Sequence, residues 1–195
     1  MPRMDGRGTQ AARACGSRIG ALRLRCGEAH GLARPRGGLI ATHRTDFEID
    51  ASDEQVWAVL VDFEQYADWN PSLPSISGDL REGSTVSLTL GLPGRPNLNV
   101  KAQLREVTAN RRLTWCGHLG ADRLFTGYRE FAIEPLAERK VRVTHVEDLQ
   151  GWIAPVFEAL MGRSVQRHHD TFNESLKSRA EALAARAATE GDSVG

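Results

Sequence analysis

From Val86 to Asp148 the chain reads as a succession of strands, and one long amphipathic stripe follows them. Val86, Leu88, Leu90 and Leu92 recur at every second residue, and Leu98, Val100, Ala102 and Leu104 repeat the pattern after Pro93-Gly94-Arg95-Pro96. Leu113, Trp115, Gly117 and Leu119 follow Asn110-Arg111. Phe125, Gly127, Arg129, Phe131 and Ile133 then share one face, as do Val141, Val143, His145 and Glu147. A two-residue period puts one face of each strand in a core, and turns this short join antiparallel neighbours. Near Pro155 the period changes. Met161, Val165, Phe172, Leu176, Ala180 and Leu183 fall at three- and four-residue steps, the stripe of a helix over 155–188. An antiparallel sheet covered by helices on one face is an α+β fold.

The segment before the sheet is also readable. Phe47 and Ile49 alternate with Asp46, Glu48 and Asp50, which predicts a half-buried strand. Ser52 stands three residues before Gln55, a capping box that opens a helix with Val56, Trp57, Val59 and Leu60 inside. A second short helix is expected over 64–69, stopping at Asn70-Pro71, because a residue before proline disfavours helical torsions.

Residues 1–41 differ from the rest. Every Trp, Tyr and Phe lies at or after Phe47, while eight arginines before residue 42 face only Asp5 and Glu28. Such a segment cannot bury enough surface to offset its ordering entropy, so a disordered basic extension is expected. A nucleic-acid arm or a transit peptide is the functional alternative. The whole chain carries 25 basic and 25 acidic side chains, which argues against a general polyanion binder. Cys15, Cys26 and Cys116 form no paired framework and no Cys-x-x-Cys, which fits a reducing cytoplasm. No apolar run is long enough to span a bilayer. The expected domain covers 42–188, followed by a flexible tail over 189–195.

Asp53-Glu54-Gln55-Val56-Trp57-Ala58-Val59-Leu60 and Asp62-Phe63-Glu64-Gln65-Tyr66-Ala67-Asp68-Trp69-Asn70-Pro71 resemble the SRPBCC superfamily, in its START-like, polyketide cyclase/dehydrase group. Asn110-Arg111-Arg112-Leu113-Thr114-Trp115, Gly127-Tyr128-Arg129-Glu130-Phe131 and Asn173-Glu174-Ser175-Leu176-Lys177 match as well, so the likeness extends over about 42–183. It implies the helix-grip fold, a curved sheet wrapped around the last helix with an apolar cavity between them. The superfamily includes lipid carriers, hormone receptors and cyclases, so fold alone does not choose among them. The small in-facing residues Ala102, Gly117 and Gly127 point to a cavity too.

Arg129, His145 and Glu147 share faces with Phe131, Val141 and Val143, and ionisable groups there need partners or a ligand. Together they could bind a carbonyl or carboxylate, or move protons on an enolisable ketone. They read equally as a structural Arg129–Glu147 pair. Trp69 and Asn70 read as a wall and a hydrogen-bond partner at the cavity mouth, or as core plug and helix stop. Trp115 and Phe125 point inward and line the core or the cavity. His168 and His169 place one imidazole inward, yet no spacing resembles a zinc signature, a nucleophile elbow or a phosphate loop. The leading expectation is a cytoplasmic protein that takes a small hydrophobic or aromatic molecule, without cofactor, metal, nucleic acid or membrane span. The alternatives are an aromatic polyketide cyclase or dehydrase, and a partner-binding module with an incidental cavity. Ligand identity and oligomeric state stay open.

Overall fold

The computed structural model describes residues 40–91, 96–119 and 124–192. The expected basic extension lies outside them up to residue 39, as do the turn residues Pro93-Gly94-Arg95 and the last three residues. Strand β1 (Ile40–Ile49) leads through Ser52 into α1 (Asp53–Val61), a 3-10 turn (Phe63–Gln65) and α2 (Tyr66–Trp69). Six strands follow: β2 (Ser75–Ser77), β3 (Thr85–Leu90), β4 (Leu98–Thr108), β5 (Arg112–Leu119), β6 (Phe125–Ala137) and β7 (Lys140–Gln150). Helix α3 (Ala154–Asp192) closes the chain, and ends four residues beyond the expected Ala188.

The capping box forms as its residues require. Ser52 Oγ accepts from the Gln55 amide at 3.3 Å, and Gln55 Oε1 accepts from the Ser52 amide at 3.0 Å. Asn110 turns β4 into β5 with φ 60°, a left-handed conformation that asparagine tolerates well. The one unforeseen strand is β2, whose three residues bury only Ile76 between exposed serines, too little for a periodic signal.

All seven strands form one antiparallel sheet in the order β1-β7-β6-β5-β4-β3-β2. Register shifts at Leu104/Glu106 and Pro135/Ala137 add local bend and twist. The helix-grip fold is thus built from the expected elements. Sheet residues Val86, Leu104, Leu113, Phe131, Val141 and Val143 are buried with Phe172, Leu176 and Ala180 of α3 and with Val56, Leu60 and Tyr66. Leu183, expected on the α3 stripe, is 40% exposed, and Ala184 is buried in its stead. A four-residue step drifts by about 40° around a helix, so the buried stripe turns as α3 passes α1.

Candidate functional site

Between the first half of α3 and the inner face of the sheet lies a cavity of about 190 Å³. Leu88, Val100, Ala102, Trp115, Phe125 and Leu149 line it from the strands, and Phe157, Met161 and Val165 from the helix. Gly117 and Gly127 also face it, so the small in-facing residues do leave room. Trp115 and Phe125 therefore lie where parity put them.

Two charges stand in this apolar wall. Arg129 and Glu147 are register partners across β6 and β7, and their side chains meet at 2.7 Å. Burial raises the Glu147 carboxyl, but the Arg129 guanidinium together with the nearby His168 and His169 outweighs it and holds the group below the ordinary carboxylate range. Glu147 is therefore ionised at neutral pH, with Oε1 on Arg129 and Oε2 buried without a partner. The guanidinium also lies 5.8 Å from the Phe172 ring centroid, within cation–π range.

His168 completes the polar end. It lines the cavity and is 8% exposed, and its imidazole lies beside the Gly91 backbone without a well-formed hydrogen bond. Ser72 Oγ donates to its backbone carbonyl at 2.9 Å and ties this turn of α3 to the segment after α2. His169 is buried as well, against the expectation that only one of the pair turns inward. Consecutive helix residues differ by about 100° in direction, and α3 is covered on two sides, by the cavity wall and by β1.

Three expected site residues lie away from the cavity. His145 is stacked between Phe131, 4.2 Å between centroids, and His169, 3.8 Å. Its Nδ1 donates to Asn173 Oδ1 at 2.6 Å, and Asn173 Nδ2 donates to His169 Nδ1 at 3.3 Å. Parity gave its face correctly, but α3 sits directly on top of it. Trp69 packs on Tyr66 and Phe172, at 4.8 Å and 5.9 Å between centroids. Asn70 is fully buried, and its Oδ1 accepts from the amides of Ser72 and Leu73. These two residues plug the core and hold the turn after α2.

A family model for "Polyketide cyclase / dehydrase and lipid transport" matches residues 41–181. The chain belongs to the polyketide cyclase/dehydrase and lipid transport family. Solved structures of the START/SRPBCC type share the fold. The ZhuI aromatase/cyclase from Streptomyces sp. R1128 aligns with TM-score 0.63 at 15% identity, covering 73% of this chain and 94% of that one. Norcoclaurine synthase from Thalictrum flavum, in complex with dopamine and hydroxybenzaldehyde, gives 0.56 at 14%, over 77% and 95%. A START superfamily protein from Mycobacterium smegmatis gives 0.55 at 19%, over 75% and 98%. None of the curated proteins compared by sequence matches the chain.

Within this family member the three histidines make the interior acid-sensitive. Desolvation first, then the nearby Arg129 charge, lower His168 and His169 to about 4 from the ordinary 6.5, and His145 well below that value. The folded state thus binds fewer protons than the unfolded chain below pH 6.5, so stability falls as pH falls. Denaturation series should show a constant midpoint above pH 6.5 and a steady decline towards about pH 4. His145→Gln should flatten that decline. A midpoint independent of pH across this window would contradict the neutral buried imidazoles.

Proposed function

We propose that the protein binds a small apolar or aromatic molecule in this cavity, lipid-like molecules included, with the polar end of the ligand at Glu147 and His168. The observation that carries this reading is an apolar chamber in which the buried Glu147 Oε2 has no partner in the protein, and in which the His168 imidazole beside it has only the Gly91 backbone within reach, without a well-formed hydrogen bond. Leaving a buried polar group unsatisfied costs about 1–3 kcal/mol, which a ligand hydroxyl or carbonyl offsets. An ionised carboxylate only accepts, whereas a neutral imidazole offers one donor and one acceptor. The matching ligand end therefore carries a hydroxyl, with or without a neighbouring carbonyl. The volume is below the roughly 300–1,000 Å³ of drug-sized sites, which suits one or two rings. A neighbour of the same fold holding dopamine and hydroxybenzaldehyde supports ligands of this scale.

Turnover as an aromatic polyketide cyclase or dehydrase would draw on the same groups, with Glu147 or His168 moving a proton and Arg129 holding an oxyanion. Binding is the reading preferred, because unsatisfied polar atoms in an apolar chamber call for an occupant and specify no reaction. The proposal places the protein in the cytoplasm, where the buried thiol of Cys116 is kept reduced. No helix among the described residues is long and apolar enough to cross a membrane. Native mass spectrometry of the full chain, purified without denaturant, is expected to show a small-molecule adduct that organic extraction removes. A bare chain that takes up none of a panel of apolar and phenolic compounds would overturn the reading.

A further inference from the structure

The first turns of α3 carry a feature that ligand binding inside the cavity does not use. Trp152 is 79% exposed, Val156 60% and Leu160 77%. Their four-residue spacing sets them along one outer stripe, from the turn before Ala154 into the helix. Ile153 and Leu124, 38% and 43% exposed, adjoin it, and the Ile153 amide donates to the Leu124 carbonyl at 3.3 Å. Ile153 also lines the cavity, as does Phe157, so the exposed patch runs into the cavity rim. An apolar patch of this kind marks a docking site.

Charge identifies the partner. Arg163 and Arg167 are exposed further along the same helix, and neither meets a carboxylate among the described residues. The nearby Glu158 is turned onto His43 of β1, at 3.4 Å.

We infer that this face docks on the surface of a lipid bilayer with anionic headgroups. Trp152, Val156 and Leu160 enter the interfacial layer, while Arg163 and Arg167 meet the phosphates. Tryptophan and leucine on one side of a helix with arginine beside them is the composition of an interfacial segment. A second copy fits less well, because a twofold contact would bring the same uncompensated arginines together. Docking here would let an apolar molecule pass between bilayer and cavity without crossing water. The inference does not need the cavity to be occupied, so a failure of ligand binding leaves it standing.

Flotation of the full chain with phosphatidylcholine vesicles, with and without phosphatidylglycerol, tests it. Tryptophan emission is read alongside, since Trp115 is buried and Trp57 and Trp69 pack against the core, whereas Trp152 is 79% exposed. The chain is expected to float with the phosphatidylglycerol vesicles and its emission to shift to the blue. The Trp152→Ser, Leu160→Ser pair should weaken partitioning by at least about tenfold with an unchanged melting temperature. Arg163→Gln and Arg167→Gln should each weaken it about fivefold on anionic vesicles only. Three results would overturn the inference: no flotation, flotation indifferent to the apolar pair, or a solution dimer that the apolar pair dissolves.

Discussion

Phe172→Ala is expected to lower the free energy of unfolding by about 3–5 kcal/mol. Phe172 is fully buried and is where three layers meet. Its ring stacks on Phe131 of the sheet at 4.9 Å, and lies 5.9 Å from Trp69 and 6.4 Å from Tyr66 of α2. His145 is 5.4 Å away, and the Arg129 guanidinium stands over the ring. Truncation leaves a void that a packed sheet and helix cannot close, and it removes the aromatic face beside a buried cation. Urea denaturation of the variant measures the loss. A change of about 0.5 kcal/mol or less, typical of a surface site, would mean that α3 does not grip the sheet at this residue.

Arg129→Met should cost a comparable amount, about 3–5 kcal/mol, because Glu147 then stays buried without its counter-charge. Glu147 already has one oxygen unpartnered, and its side chain is only 15% exposed. The sign of its pH dependence also reverses. In the wild type Arg129 holds the carboxyl below its ordinary value, so its contribution is lost as pH falls through that lowered value. Without Arg129, burial dominates and raises the carboxyl, so the variant's deficit should be largest near neutrality and shrink on acidification. Adding Glu147→Leu to Arg129→Met should restore most of the stability, since an apolar pair replaces an ionic one. The double variant should still bind a phenolic ligand about 1.5–3 kcal/mol more weakly, having lost a hydrogen bond to a charged group. An Arg129→Met variant as stable as the wild type at pH 7 would show that the pair is solvated and would remove the basis of this site.

Much of this is written locally in the chain. The Ser52–Gln55 box, the alternation through β3 to β7 and the inward faces of Arg129 and Glu147 on consecutive strands depend on spacing alone, which sequence displays directly. Register does not, and neither does the height at which α3 crosses the sheet. That height decides that His145 is roofed by His169 while Glu147 faces open space. Parity assigns a face and is silent on what covers it, which is why Trp69, Asn70 and His145 read as site residues while the structure packs them away from the cavity. His168 shows the converse. It continues Phe157, Met161, Ser164 and Val165 along one helix face in three- and four-residue steps, but a histidine there carries no ligand signal until Glu147 is seen on the same cavity.

Filling the chamber from inside addresses the central claim most directly. Gly127 lines the cavity between Phe125 and Arg129, and a Cβ built there would meet only Leu149 Cδ2, at an ordinary 3.8 Å. Gly127→Leu therefore adds bulk to the cavity without forcing the backbone. Titration of the full chain with the fluorescent apolar probe anilinonaphthalenesulfonate, wild type beside Gly127→Leu, is the measurement. The account predicts saturable one-site binding to the wild type, and an affinity lower by about tenfold or more in the variant, with the melting temperature maintained. Equal affinity for the two proteins would place the bound probe elsewhere and contradict a ligand site between the sheet and α3.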